Sequence, residues 1–173
     1  MNSYFRRQLA DYVEYHRDPW NCAMHVFGIL FLFLAAVLPL SLWPVTLFGI
    51  ETSAATIAVI PVVFYWFLLD VALGAGILAA AVALLSAAAL IVSQVTPAAM
   101  WSLTAVLIVV GVASQIIGHR VFEGRQPALV DNPTHLLLGP MFVMAKLFIA
   151  LGFRRDLASI IEQRPQNSLS YSQ

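Results

Sequence analysis

The chain has four histidines, and two of them, His16 and His25, fall in one short stretch, YHRDPWNCAMH, residues 15–25. The other two, His119 and His135, bracket the most polar internal stretch, HRVFEGRQPALVDNPTH. Imidazole is the commonest protein ligand for metals and suits zinc, copper, iron and nickel. His119 and Glu123 are four residues apart and share a face if that stretch is helical. Glu123 could then ligate a metal directly, or accept a hydrogen bond from a ligating imidazole. Two histidines and a carboxylate leave open positions for oxygen and substrate at a non-haem Fe(II) centre. Three or four histidines can do likewise on a five- or six-coordinate ion. Taken singly, a histidine beside a membrane span is an ordinary interfacial group, so the question is whether these four meet.

The elements that must bring them together are membrane helices. Of 173 residues, 61% are hydrophobic and only 10% charged, with a mean hydropathy of +0.85, against about 25% charged residues in soluble domains. No charge occurs between Asp18 and Glu51, or between Asp70 and Arg120. A bilayer core needs about 20 apolar residues per helix, and these gaps accommodate such helices. The net charge is zero, which gives no reason to expect a nucleic-acid partner. Arg6 and Arg7 are followed by Asp11, Glu14, His16, Arg17 and Asp18 before any apolar run, so the first hydrophobic stretch reads as a retained span and not a cleaved signal. The single cysteine, Cys22, cannot form an intrachain disulfide.

The expected fold is an all-α membrane bundle: an N-terminal amphipathic helix followed by four or five transmembrane helices. Tyr4, Phe5, Leu9, Tyr12, Val13 and His16 recur at helical spacing, which suits a helix lying at the interface. Pro19 ends it, and Asn21 falls near the start of the next helix. Spans are expected from Cys22 to about Trp43, Ala54 to Asp70, Leu73 to Ser93 and Ala99 to Gly118, with a turn at Trp43–Thr52. Residues 136–153 make either a fifth span or a re-entrant or interfacial helix. Residues 1–153 would form one catalytic domain and 154–173 a polar, flexible tail. Asp70 reads as a helix-end cap, Lys146 as a snorkelling cation, and the aromatics of residues 64–67 as an interfacial belt.

Counting crossings decides where the histidines go. Between His25 and His119 the chain crosses the membrane an even number of times, so both lie at the same face. His16 and His135 adjoin that face, with Asp70, Glu123 and Asp131. Arg6, Arg7, Arg17, Arg120 and Arg125 share it, which makes it cytoplasmic by the positive-inside rule. The membrane would be the inner membrane of a bacterium or the endoplasmic reticulum of a eukaryote.

These residues also carry a resemblance. Tyr12-x3-His16-x4-Asn21-x3-His25-x2-Gly28, then Gln115-x2-Gly118-His119-x2-Phe122-Glu123-x3-Pro127-Ala128-Leu129, resembles the 2-hydroxy fatty acid dioxygenase family. These are small membrane proteins long known as a domain of unknown function, and the fungal member acts in phytosphingosine degradation. The YWFLLD segment ending at Asp70 and the Pro140 region are similar to family features, so the resemblance covers residues 4 to about 152. It implies an Fe(II) enzyme that uses O2 to shorten a 2-hydroxy fatty acid by one carbon. It further implies His16, His25 and His119 as catalytic iron ligands; His135 or Glu123 would complete the metal site, Glu123 also counting among the catalytic residues on its spacing from His119. The chain departs from the family pattern at His135, where glutamine is common, and at Leu30, where proline is expected. Arg120 or Arg125 could hold the substrate carboxylate bidentately, with Asn21 as a further substrate contact. The alternatives are a haem protein, for which all four histidines lie on one face, and a transporter or scaffold, whose ionisable groups belong near the midplane.

Overall fold

A computed structural model describes residues 2–124 and 135–161. Helix α1 (Ser3–Glu14) starts where the Asn2 side chain accepts the Phe5 N–H at 2.7 Å. Its stripe of Phe5, Leu9, Tyr12 and Val13 is buried, the i, i+4, i+7, i+8 pattern of a one-sided helix. The expected amphipathicity is present, but the apolar stripe faces protein. It packs against α6 (His135–Ala150) and the short α7 (Ala158–Ile161).

The chain then turns through Tyr15–Asp18 into α2 (Pro19–Ser41). Pro19 suits a first helical turn because the N–H it lacks would have no partner there. The cap is Asp18, whose Oδ1 accepts the N–H groups of Trp20 and Asn21 at 2.8 and 3.0 Å. After α2, the expected turn is a small antiparallel hairpin of β1 (Pro44–Leu47) and β2 (Ile50–Ser53). Its two-residue connection has Phe48 at φ 51° and Gly49 at φ 82°, the pairing of positive φ values that a type I′ hairpin turn requires.

Helix α3 (Ala54–Leu69) is followed directly by α4 (Val71–Gln94), with Asp70 as the corner. The Asp70 side chain accepts the Leu73 N–H at 3.1 Å, which makes it the expected cap. Helix α5 (Pro97–Ile117), capped by Thr96, runs on into a π-helical segment, Gly118–Glu123, that ends at Gly124. Among the described residues, three helices are long and apolar enough to cross a membrane: Pro19–Ser41, Val71–Gln94 and the continuous Pro97–Glu123. Helix α3 is apolar but, at 16 residues, shorter. Helix α6 and the segment Arg155–Ile161 meet at a bend of 117°, so the last apolar segment is broken and not a straight rod.

Part of the expected polar tail is folded. Leu157 and Ile160 are buried, and Arg154 pairs with Asp70 at 2.7 Å and with Asp156 at 2.8 Å; residues 162–173 lie outside the described residues. The 64–67 aromatics divide in the same way. Phe64 is exposed, while Trp66 is buried and donates its indole N–H to the Leu137 carbonyl at 2.7 Å. Two apolar clusters hold the bundle: one at the histidine end, around Leu9, Leu73 and Phe142, and one towards the hairpin, around Leu38, Ala88 and Met100. Between α2 and α5 the backbones touch. A Cβ on Gly111 would lie 2.8 Å from Leu32 Cγ, and one on Gly28 would lie 2.9 Å from the Gly111 carbonyl oxygen. A side chain at Gly28 or Gly111 would push these helices apart.

Candidate metal centre

His16 directly follows α1, His25 lies in the second turn of α2, and His119 opens the π-helical end of α5. All three are buried. The Nε2 atoms of His16 and His25 are 3.2 Å apart, and those of His25 and His119 are 2.9 Å apart. His16 is held in one tautomer. Its Nδ1–H donates to the Tyr12 carbonyl at 2.8 Å, which leaves Nε2 as a bare lone pair, and its ring stacks on Tyr12 at 4.0 Å. Burial pushes the His16 imidazole down to about 3, the hydrogen bond to Tyr12 opposing that shift only in part. His16 is therefore neutral at pH 7, the form that ligates metals. The Nδ1 atoms of His25 and His119 are buried and have no hydrogen-bond partner among the described residues.

The donor set fits a metal ion. Imidazole nitrogens bind at about 2.0–2.1 Å, so two on adjacent coordination positions stand about 3 Å apart. The observed spacings match, and all three donor atoms lie within 4.8 Å of one another. A shared cation would give three converging lone pairs a common partner.

Glu123 lies outside that nitrogen group and serves it indirectly. Its carboxylate accepts the backbone N–H groups of Arg17 and Asp18 and the Asn21 side-chain amide, each at 3.0 Å. Asn21 also donates to the Tyr15 carbonyl at 3.0 Å. Glu123 and Asn21 therefore tie the end of α5 to the corner that carries His16, and Asn21 does not line the cavity described below. Arg120 is exposed and does not line it either. Arg125 and Asp131 lie outside the described residues. Lys146, expected to snorkel, is exposed as a residue and places Nζ 3.3 Å from Cys22 Sγ.

His135, expected as the fourth ligand, is buried at the start of α6 but stands outside the three-nitrogen group. Its Nε2 is 3.0 Å from Asp11 Oδ2, and its ring meets Tyr12 and Tyr15 edge-on. Two further residues acquire roles that residue type alone did not assign. Tyr12 carries His16 on both its ring and its carbonyl, and Gln115 donates to the His25 carbonyl at 3.3 Å. The four-residue step from Tyr12 to His16 is the signal that could have exposed the first of these.

The four histidines line one end of a cavity of about 130 Å³. Ile29, Leu32 and Phe33 of α2 continue its wall, with Leu136 and Gly139 of α6 alongside. Fold and site together define a helical membrane protein with a buried three-histidine centre opening onto an apolar cavity. The chain belongs to the Mpo1-like family, described as 2-hydroxy-palmitic acid dioxygenase Mpo1-like, which it matches over residues 2–151. It is 34% identical over 159 residues to the 2-hydroxy-palmitic acid dioxygenase MPO1 of Saccharomyces cerevisiae, an alignment spanning 91% of this chain and 87% of the yeast protein. No solved structure matches it.

Proposed function

We propose that this chain is an Fe(II)-dependent dioxygenase that uses O2 to shorten 2-hydroxy fatty acids by one carbon. The observation that carries this reading is the convergence of three buried Nε2 atoms, 2.9 and 3.2 Å apart, on an apolar cavity among membrane helices. The name of the yeast relative supports the substrate class. In this reading His16, His25 and His119 hold the iron. Bound there, Fe(II) would supply the activation of O2 needed for cleavage between C1 and C2, C1 leaving as CO2 with one water so that the 2-hydroxy acid and O2 balance the shortened acid.

The remaining work falls to the chain. The Tyr12 carbonyl fixes the His16 tautomer, so a lone pair faces the centre. Glu123 and Asn21 are positioning residues that lock the His16 corner onto the end of α5. Burial excludes water, and the wall of Ile29, Leu32 and Phe33 takes apolar chain. His135 lines the cavity and Arg120 does not, so His135 is the better-placed group for the substrate's polar head. The catalytic domain runs past residue 153 to take in the buried Leu157 and Ile160, and the histidine face, with Arg6, Arg7, Arg17 and Arg120, is cytoplasmic.

The test is direct. Protein purified in detergent and loaded anaerobically with Fe(II) should bind about one iron per chain and convert 2-hydroxypalmitate and O2 to pentadecanoate, followed by mass spectrometry. Protein that binds no iron and forms no pentadecanoate would overturn the reading.

A further inference from the structure

The cavity has two ends, and the histidines occupy only one. From His25, the residues Ile29, Leu32 and Phe33 follow at i+4, i+7 and i+8, forming one stripe of α2. At 1.5 Å per residue this stripe runs about 12 Å along the helix away from the histidines. Towards α5 the way out is shut, because the α2 and α5 backbones touch at Gly28 and Gly111. Towards α6 the lining reaches the surface: Leu136, beside His135 at the start of α6, lines the cavity and is 58% exposed. The size of the cavity requires an exit. A water needs at least about 10–15 Å³ of such space, so a volume near 130 Å³ takes about ten non-hydrogen atoms: a polar head and its first few methylenes.

We propose that the gap between α2 and α6 is a lateral portal through which the acyl chain of the substrate passes from the histidine centre into the lipid, kept open by Gly139. The proposal rests on the reading above that the substrate is a long-chain 2-hydroxy acid. Gly139 lines the cavity against Ile29 of the stripe. A Cβ there would lie 2.7 Å from Ile29 Cδ1 and 3.3 Å from the Tyr12 hydroxyl. The nearer atom is the flexible end of a side chain, so Gly139→Ala is accommodated by turning Ile29 into the portal. Removing the Ile29 side chain reopens it.

The probe is a 2-hydroxy fatty acid carrying a photoreactive diazirine at mid-chain, with adducts mapped by peptide mass spectrometry on the iron-loaded protein. Adducts should concentrate at Ile29–Phe33 and Leu136–Gly139. Gly139→Ala should cut them, and raise KM for 2-hydroxypalmitate, by about tenfold, with kcat and iron content within about twofold. The double variant Ile29→Ala/Gly139→Ala should recover the adducts at Leu136–Gly139. Adducts concentrated elsewhere, or Gly139→Ala labelling like the unsubstituted protein, would overturn the portal, as would failure of the double variant to recover. Labelling does not depend on turnover. Portal adducts without pentadecanoate would uphold the portal and sink the proposed reaction, whereas turnover without portal adducts would do the reverse.

Discussion

Glu123 stands four residues from a histidine of the centre, yet its carboxylate is fully engaged elsewhere, by Arg17, Asp18 and Asn21. A four-residue step keeps Glu123 near the face of His119, in an α-helix and equally in the π-helix found here, but the acceptor's partners come from the Arg17–Asp18 corner, 105 residues away in sequence, which no local spacing encodes. That is why the sequence showed a carboxylate near the site but not what it touches. Glu123→Ala would leave the buried Asn21 amide and two backbone N–H groups short of an acceptor and loosen the His16 corner. Iron affinity, measured against a competing chelator, should fall about 10- to 100-fold, as for other residues that orient metal ligands. His25→Ala should abolish stoichiometric iron binding. If the two variants behaved alike, Glu123 would have to be a ligand. Three of the four expected histidines do meet, and residue type with expected helix order was enough to nominate them.

At the scale of elements, helices α2 to α5 could be read from uninterrupted apolar runs and their boundary residues, such as Asp70 and Pro97. The hairpin could not. Its connection is Phe48-Gly49, whereas the usual sequence signal for a type I′ turn is Asn-Gly. Phe48 sits at φ 51° and is 96% exposed, and a non-glycine residue in that region costs about 1–2 kcal/mol. Trp43, Leu47 and Ile50 beside it are also exposed, an apolar cluster suited to the membrane interface. Phe48→Asn should raise stability in detergent by about 1 kcal/mol, read as a higher thermal midpoint. An unchanged midpoint would show that the ring contributes as much as the strain removes. Helix α1 was legible as amphipathic, but the surface it covers was not. Periodicity reports that a face is apolar and is silent on whether lipid or α6 covers it.

For the molecule as a whole, the Arg154–Asp70 pair fastens the chain beyond α6 to the corner between α3 and α4. Arg154 was assigned by composition to a loose tail, because an ion pair between residues 84 apart leaves no local pattern. Burial alone would push the Asp70 carboxyl up. The Arg154 hydrogen bond, the Leu73 N–H and the guanidinium charge outweigh it and hold the carboxyl below its ordinary value. Because the folded-state value is the lower one, this contribution is complete above about pH 4 and is lost as pH falls further, through the folded value. The thermal midpoint should therefore drop on acidification below about pH 4, and that dependence should be weaker in Asp70→Asn. Arg154→Ala at neutral pH should cost about 3 kcal/mol in denaturant titrations, since it leaves a buried carboxylate without its guanidinium. The centre itself joins residues 94 apart, His25 and His119. On the ribosome, a chain that has not yet delivered α5 holds only two of the three nitrogens. Under the proposed iron reading, metallation would then be a late step of biogenesis, and a chain arrested before α5 would carry no competent centre with which to meet oxygen.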